Sequence, residues 1–208
     1  MLATQSVTEF LDSVSSVSPA PGGGSVSALS GALGAALTAM VCRLTIGRKK
    51  YEAVQDDMLQ ALGAIDEVRA KLTSLIDQDT EAFSGVMKAF GLPKDTEAQK
   101  QVRSSAIQAA TRDATLVPLE VMRFCEQALT ISKMVAEKGN VNSISDIAVA
   151  ALVLKAGCKG AAYNVRINLA TLLDKHFVAE TTTVMTAIET NVDALSDGIQ
   201  KRVESVLT

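Results

Sequence analysis

The feature that most constrains this fold is a long stretch of chain without a charged side chain. No Asp, Glu, Lys or Arg occurs between Ser13 and Cys42, and the segment PAPGGGS at residues 19–25 interrupts the stretch. It is long enough for a membrane span. However, the prolines and glycines break it, and the remainder is Ala, Gly and Ser with few strongly apolar residues. We therefore predict a buried helix over residues 25–46 in a helical bundle.

The rest of the chain also predicts helices. Apolar residues recur at intervals of three and four, and no segment of useful length alternates as a strand would. Hydrophobic residues make up 48% of the chain but aromatic residues only 3%, so an aliphatic core suits packed helices. The predicted helices cover residues 6–14, 25–46, 52–87, 95–112, 116–137, 147–173 and 177–206.

We predict an all-α fold, with a single domain over residues 1–208. Its long helices surround two central helices rich in small residues, at 25–46 and 147–173, because small side chains let helix axes approach closely. Pro118 is predicted in the first turn of its helix, where proline is tolerated. Ser145 is predicted to cap the second central helix, with Asp146 in its first turn.

The charge and the cysteine content exclude several classes of protein. The formal net charge is −3, and no basic stripe is present for nucleic acid. Cys42, Cys125 and Cys158 are far apart, so they predict neither a zinc site nor a disulfide framework. His176 is the only histidine, which excludes multi-histidine metal sites. No secretory signal occurs at the N-terminus, so we expect a cytoplasmic protein.

The glycine loop has two interpretations. A helix that begins at this loop presents free backbone N–H groups and the positive end of its dipole, which suits an anion. The loop lacks the Lys-Ser/Thr of a phosphate-binding loop, and no strand precedes it. The other interpretation is a tight turn that needs the conformational freedom of glycine. The residues alone leave both open: Pro21, Gly22, Gly23, Gly24 and Ser25.

A basic cluster of Arg48, Lys49 and Lys50 follows the first central helix. Cations at the end of a helix stabilise it through the helix dipole. The alternative is a patch that binds carboxylates or phosphates.

Asp79 is the carboxylate best suited to acid–base chemistry. Asp77 and Glu81 are four residues apart and share a helix face, whereas Asp79 points to another side. Phe83 and Val86 follow Asp79, which indicates a partly buried neighbourhood. A buried carboxylate must be paired, hydrogen-bonded or have a raised pKa, and a raised pKa suits a general base. Asp77 and Glu81 fit an acidic face in solvent.

Polar residues gather before the second central helix and recur within it. Two amides on one face of an apolar helix are costly unless they form hydrogen bonds. Bonds between helices would satisfy them, and so would recognition of the polar edge of a ring. The residues before the helix are Asn140, Asn142, Ser143, Ser145 and Asp146, and the pair within it is Asn164 and Asn168.

Four segments together resemble the cyclodeaminase domain of the formiminotransferase-cyclodeaminase family. They are the run from PAPGGGS to GRKKY at 19–51, DTEAF at 79–83, GLPK at 91–94 and the run from GNVNSISD to RINL at 139–169. The resemblance covers essentially the whole chain and is closest to the stand-alone bacterial members. It implies an all-helical fold, a homodimer and a folate substrate that carries a one-carbon group.

The resemblance also assigns roles to residues. The catalytic aspartate of the family falls on Asp79, and its folate pocket falls on the glycine loop and on the NVNSISD segment. We add from charge alone that the basic cluster suits the glutamate tail of folate. The predicted substrate-binding residues are Pro21, Gly22, Gly23, Gly24, Ser25, Lys49, Lys50, Asn140, Ser145, Asp146, Asn164 and Asn168.

The implied activity is the reversible hydrolysis of 5,10-methenyltetrahydrofolate to 10-formyltetrahydrofolate. The alternatives are a formimidoyltetrahydrofolate cyclodeaminase and an inactive folate-binding or interaction module. We favour hydrolysis because no fused formiminotransferase domain, which would feed a deaminase, is expected here. Neither a metal nor a redox cofactor is expected, and neither nucleic acid nor membrane is expected as a partner.

Overall fold

The computed structural model describes residues 1–208 and contains helices without strands. Short 3₁₀ turns lie at Leu2–Thr4, Lys49–Val54 and Val141–Ser143. The predicted all-α fold is therefore confirmed. The six α-helices are α1 (Val7–Val14), α2 (Gly23–Thr45), α3 (Gln55–Phe90), α4 (Glu97–Lys138), α5 (Ile144–Leu169) and α6 (Lys175–Leu207).

Helices α2 to α5 form an antiparallel four-helix bundle. The start of α2 lies beside Asp79 of α3, and the end of α2 contacts Asn140 just before α5. Helices α2 and α5 are therefore antiparallel neighbours, and α6 packs against both α4 and α5. The aliphatic core predicted from the composition fills the space between these helices.

Glycines let α2 and α5 pack with their backbones close together. A Cβ atom on Gly157 would lie 2.8 Å from Ser27 O, and one on Gly34 would lie 2.9 Å from Ala150 O. Both distances are shorter than ordinary van der Waals contact, so a larger residue would push the helices apart. The two helices rich in small residues, α2 and α5, lie close to the predicted ranges 25–46 and 147–173, although one side of each helix is exposed rather than covered by other helices.

Differences in helix length create a recess at one end of the bundle. Helices α3 and α4 have 36 and 42 residues, whereas α2 and α5 have 23 and 26. With a rise of about 1.5 Å per residue, the α3–α4 hairpin projects beyond the start of α2 and the end of α5. The projecting hairpin forms one wall of the recess.

The prediction of two helices at 95–112 and 116–137 is wrong, because α4 continues through Pro118. A proline inside a helix cannot donate an N–H to the carbonyl four residues earlier. That carbonyl belongs to Ala114, and the side chain of Asn168 on α5 donates to it, with Nδ2 3.1 Å from the oxygen. The neighbouring helix thus supplies the donor that proline lacks.

The prediction that Ser145 caps α5 is also wrong. The 3₁₀ turn at Val141–Ser143 leads directly into α5, so Ser143 takes the capping position and Ser145 lies inside the first turn. Asp146 lies in the first turn as predicted. Helix α4 begins at Glu97, with Thr96 as its capping residue, rather than at the predicted residue 95.

Candidate active site

A cavity of about 380 Å³ occupies the recess at the end of the bundle. The glycine loop and the end of α5 form its polar side, while α3 and α4 form a largely apolar wall. It is lined by Pro19, Ala20, Gly22, Gly23, Gly24, Asp79, Ala82, Phe83, Val86, Phe90, Ile107, Thr111, Ala114, Pro118, Asn164, Ile167, Asn168 and Thr171.

Asp79 is the only charged side chain in this lining. Ser25 Oγ lies 3.0 Å from Asp79 Oδ2 and also 3.0 Å from the carbonyl oxygen of Ile76. Burial raises the pKa of Asp79 above its ordinary value, and the hydroxyl and backbone N–H of Ser25 oppose that rise. A half-buried carboxylate with a raised pKa can accept a proton from a water molecule in the cavity.

The glycine loop meets the Asp79 carboxylate directly. A Cβ atom on Gly24 would lie 1.9 Å from Asp79 Oδ1, so only glycine at this position leaves room for the carboxylate. No side chain caps α2 at Gly22. The first turn of α2 therefore offers its N–H groups and the positive end of the helix dipole to the carboxylate and to the cavity.

Asn164 and Asn168 differ in how their amides are used. Asn168 donates to Ala114 O, a bond between helices. Asn164 Nδ2 donates to Gly160 O in its own helix at 2.9 Å, and no group of the chain donates to its Oδ1. Asn164 thus presents a free acceptor in the cavity lining, whereas Asn168 has a structural bond as well as a place in the lining.

Two further loop residues have supporting positions. Ser25 is buried behind Asp79, so it touches the carboxylate. Pro21 is buried and does not line the cavity.

Five predicted binding residues lie at the opposite end of the bundle. Lys49, Lys50 and Asn140 line a second cavity of about 190 Å³, together with Arg48, Tyr51 and Asn142. Ser145 and Asp146 lie at the same end, in the first turn of α5. Thr45 lies 21 residues after Gly24, and at a rise of about 1.5 Å per residue this separation spans about 32 Å of helix. Within one chain, the structure therefore separates these residues from Asp79.

Asn140 organises this second cavity. Its backbone N–H donates to Thr45 Oγ1 at 2.9 Å, and its side-chain Nδ2 donates to Leu44 O at 3.2 Å. The hydroxyl of Tyr51 lies 3.4 Å from Asn140 Oδ1 and accepts the N–H of Val141. These bonds hold the end of α2, the 3₁₀ turn with the basic cluster and the start of α5 in one arrangement.

Other titratable groups lie outside the first cavity. Asp77, which was expected to face solvent, accepts the backbone N–H groups of Leu2 and Ala3 and so ties the N-terminus to α3. Burial raises the pKa of Cys42 to about 11 and that of Cys158 to about 12. These thiols remain protonated at neutral pH, which makes them poor nucleophiles. His176 is exposed.

Sequence reasoning missed the wall that α4 contributes. The wall consists of Ile107, Thr111, Ala114 and Pro118, whose spacing of four, three and four places them on one helix face. No residue in this set has acid–base chemistry, so none of them stands out as a reactive group in the sequence. The helical spacing was the available signal.

Comparison with known proteins identifies relatives over the full chain. A family model described as formiminotransferase-cyclodeaminase matches residues 6–187. A methenyltetrahydrofolate cyclohydrolase of Methylorubrum extorquens is 43% identical over 205 residues, which cover 99% of this chain and 99% of that protein. A formimidoyltransferase-cyclodeaminase of Rattus norvegicus is 38% identical over 180 residues, which cover 86% of this chain but 33% of that protein.

A solved structure shares the whole fold. The formiminotetrahydrofolate cyclodeaminase of Thermotoga maritima superimposes with a TM-score of 0.90 at 32% identity and covers 100% of both chains. The arrangement of helices that creates the recess is therefore common to both proteins.

Proposed function

This chain belongs to the formiminotransferase-cyclodeaminase family, and on that premise we propose that it hydrolyses 5,10-methenyltetrahydrofolate to 10-formyltetrahydrofolate. Its likeness to a methenyltetrahydrofolate cyclohydrolase extends over 99% of both chains. The observation that carries the chemistry is Asp79, a carboxylate with a raised pKa held between Ser25 and Gly24 in the cavity.

The proposed reaction begins with water in the cavity. The ionised Asp79 accepts a proton from the water as its oxygen attacks the cationic methenyl carbon between N5 and N10. The negative carboxylate also stabilises the cationic substrate. As the bond from this carbon to N5 breaks, the new hydroxyl gives up its proton to become the formyl oxygen, N5 takes the proton held by Asp79, and the formyl group stays on N10. The balance is one water consumed and one proton released.

The rest of the cavity suits the flat ring system of a folate. Phe83, Val86 and Ile107 offer apolar surface to the ring faces. The open Oδ1 of Asn164 can accept a hydrogen bond from a ring N–H or an amino group. Free N–H groups at the start of α2 can donate to a ring oxygen.

The direct test is turnover of two substrates by the purified chain. We expect loss of the methenyl absorbance of 5,10-methenyltetrahydrofolate well above the spontaneous rate. Release of ammonia from 5-formimidoyltetrahydrofolate is measured in parallel and identifies the alternative activity. If neither substrate is consumed, the proposed function is wrong.

Asp79→Asn is the matched variant for this test. We expect kcat to fall by about 10²–10⁴-fold, because the amide cannot accept the proton.

The raised pKa of Asp79 means that folding disfavours its ionised carboxylate. The stability that the protonated carboxyl contributes is therefore lost as the pH rises through the folded pKa. At neutral pH the free energy of unfolding of the variant, measured in urea, should therefore equal or exceed that of the wild type. Unchanged turnover would remove Asp79 from the mechanism.

Cyclodeaminase activity is the second candidate. It is favoured by the structural match to the cyclodeaminase of Thermotoga maritima and by the rat relative. In that reaction N10 attacks a formimidoyl carbon on N5, and ammonia leaves. Asp79 would then transfer a proton to the leaving nitrogen at the same place in the cavity. The ammonia assay decides between the two.

The proposal includes a cytoplasmic homodimer that binds neither membrane nor nucleic acid. Helix α2 and the segment Val141–Leu169 are each long and apolar enough to cross a membrane, with 56% and 44% of their most apolar windows buried. In this proposal both are core helices of a soluble bundle. Water and Asp79 suffice for the proposed steps, so the absence of a metal or redox cofactor remains a prediction.

A further inference from the structure

The wall that α4 contributes to the Asp79 cavity carries one hydroxyl group. Thr111 lies in this wall, and the other members of the wall are Ile107, Ala114 and Pro118. Thr111 is buried, with 5% of its surface exposed. A buried hydroxyl normally has a hydrogen-bond partner, because burial without one costs free energy. The Thr111 hydroxyl is therefore expected to have a partner, either in the chain or in the cavity.

No group of the chain is that partner. Buried hydroxyls elsewhere in the bundle donate to the carbonyl oxygen four residues earlier, as those of Thr38, Thr115 and Ser132 do. The hydroxyl of Thr111 forms no such bond, and Thr115 donates to the backbone oxygen of Thr111 rather than to its side chain. Every side-chain oxygen or nitrogen that is closed off from solvent has a partner. The Thr111 hydroxyl, which has none, is therefore open to the cavity that Thr111 lines.

The two long walls of the cavity run side by side along the bundle. On α3 the lining extends from Asp79 to Phe90, and on α4 it extends from Pro118 to Ile107. Each of these runs covers a separation of 11 residues, or about 16 Å of helix. Because α3 and α4 are antiparallel, Asp79 and Pro118 mark the deep end of the cavity. Phe90 and Ile107 mark the end at the tip of the α3–α4 hairpin.

Thr111 lies toward the tip, away from Asp79. It is seven residues from Pro118, so it lies about 10 Å nearer the tip than the deep end. The neighbouring lining of α3 and α4 is apolar in this part of the cavity and includes Phe83, Val86 and Ile107. The Thr111 hydroxyl is therefore a free polar group in an apolar part of the cavity.

The shape of a folate matches this division of the cavity. With the one-carbon group at Asp79, the fused ring system can reach the free Oδ1 of Asn164 and the N–H groups at the start of α2. The p-aminobenzoyl ring then extends toward the tip, between the apolar side chains. The amide that joins this ring to glutamate lies one benzene ring beyond N10, which brings it to the part of the cavity that contains Thr111.

We propose that Thr111 is a specificity-determining residue whose hydroxyl donates a hydrogen bond to the carbonyl oxygen of the p-aminobenzoyl amide. The inference rests on the proposed function, because a folate must occupy the cavity. The bond forms away from the reacting carbon, so it stabilises the bound substrate and the transition state equally. A ligand without this carbonyl leaves the buried hydroxyl unpaired, so the site discriminates against such a ligand.

Thr111→Val removes the hydroxyl and nearly keeps the shape of the side chain. We expect KM for 5,10-methenyltetrahydrofolate to rise about tenfold. We expect little change in kcat, because the loss of an interaction common to both states raises KM alone. Thr111→Ser keeps a hydroxyl at this position and should restore most of the affinity. A fall in kcat without a rise in KM would overturn the inference.

Thr115→Val is the matched control, one helical turn further along α4. Its hydroxyl is also buried and hydrogen-bonded, since it donates to Thr111 O. Thr115 does not line the cavity, so its replacement should lower stability in urea but leave KM and kcat unchanged. An equal rise in KM for Thr115→Val would show a general effect of lost hydroxyls on α4 and overturn the inference.

Two fragments of the substrate locate the contact. p-Aminobenzoylglutamate contains the amide, whereas 6-methyltetrahydropterin contains the ring system without the amide. Both are measured as competitive inhibitors of the wild type and of Thr111→Val. We expect the inhibition constant of p-aminobenzoylglutamate to rise about tenfold in the variant and that of the pterin to stay the same. The reverse result would place the Thr111 hydroxyl beside the ring system and overturn the inference.

A crystal structure with bound 10-formyltetrahydrofolate tests the contact without turnover. We expect the amide oxygen within hydrogen-bond distance of Thr111 Oγ1, and a bound folate whose amide lies elsewhere would overturn the inference. If Thr111→Val does not fold, this structure of the wild type still decides. Failure of the wild type to consume either folate substrate would instead overturn the proposed function.

Discussion

The Asp79 carboxyl is expected to set the acid limb of the pH profile. Only its ionised form accepts a proton from water, so kcat/KM should fall as the pH drops through the folded pKa of Asp79. Burial raises that pKa above the ordinary value of 3.8, so the midpoint of the limb should lie above pH 3.8. The measurement is kcat/KM against pH, with the spontaneous rate subtracted.

Ser25→Ala provides a signed check on this assignment. The Ser25 hydroxyl lowers the pKa of Asp79, so its removal should move the acid limb to higher pH. The residual activity of Asp79→Asn should lose the limb. A limb at or below pH 3.8, or a shift to lower pH in Ser25→Ala, would contradict the role of Asp79 as the base.

Gly24→Ala tests the close contact between the loop and the carboxylate. The new Cβ would lie 1.9 Å from Asp79 Oδ1, so the carboxylate must move. A displacement of about 1 Å in a catalytic group can cost about 10²-fold in rate, and we expect a loss of this size in kcat. Gly63→Ala on α3 is the control, because nothing lies within 4 Å of its added Cβ. It should leave kcat unchanged and add about 0.5–1 kcal/mol of stability.

The contact between Gly24 and Asp79 also shows which properties of these two residues could be predicted from the sequence. Helical spacing separated Asp79 from Asp77 and Glu81, which is a local property of the chain. The need for glycine at position 24 depends on an oxygen 55 residues away. The residues therefore left the loop undecided between a turn and a binding loop, since only the packing of α3 against α2 shows what the missing side chain makes room for.

At the scale of helices, Pro118 and Asn168 act as a pair. Asn168→Ala leaves the Ala114 carbonyl without a donor, which should lower the free energy of unfolding by about 1–3 kcal/mol. Pro118→Ala restores a backbone N–H that can bond to that carbonyl. In the Pro118→Ala background, the cost of Asn168→Ala should therefore shrink, which a double-mutant cycle in urea measures.

Asn164→Ala is the control for this cycle. Its Nδ2 bonds to Gly160 O within α5, so its cost should not depend on residue 118. Additive costs for Pro118→Ala and Asn168→Ala would show that the two residues are not coupled through Ala114.

This pair also shows why the single helix α4 was missed. Proline is a strong local signal for a helix start, and the predicted break at Pro118 followed that signal. The signal is overridden by an amide donor on another helix, and no local pattern reveals such a donor. Helix existence and type, in contrast, follow from apolar periodicity within each segment, which is why the helical class could be predicted.

At the scale of the molecule, the antiparallel packing of the helices separates segments that the family resemblance assigned to one folate site. The glycine loop and the basic cluster stand at opposite ends of α2, and the NVNSISD segment lies with the basic cluster. The sequence contains all of these groups but not the direction of each helix relative to its neighbours.

Ligand binding should stabilise the bundle as a whole, because the Asp79 cavity is lined by the glycine loop and by α3, α4 and α5. At a concentration of 100 times Kd, 10-formyltetrahydrofolate should add about 2.7 kcal/mol to the free energy of unfolding. For a domain of this size, 1 kcal/mol corresponds to about 2–4 °C in Tm, so the rise should be about 5–11 °C. Free glutamate at the same concentration should have no effect. Val86→Trp, which fills the cavity from α3, should abolish the rise, and a full rise in that variant would place the ligand elsewhere.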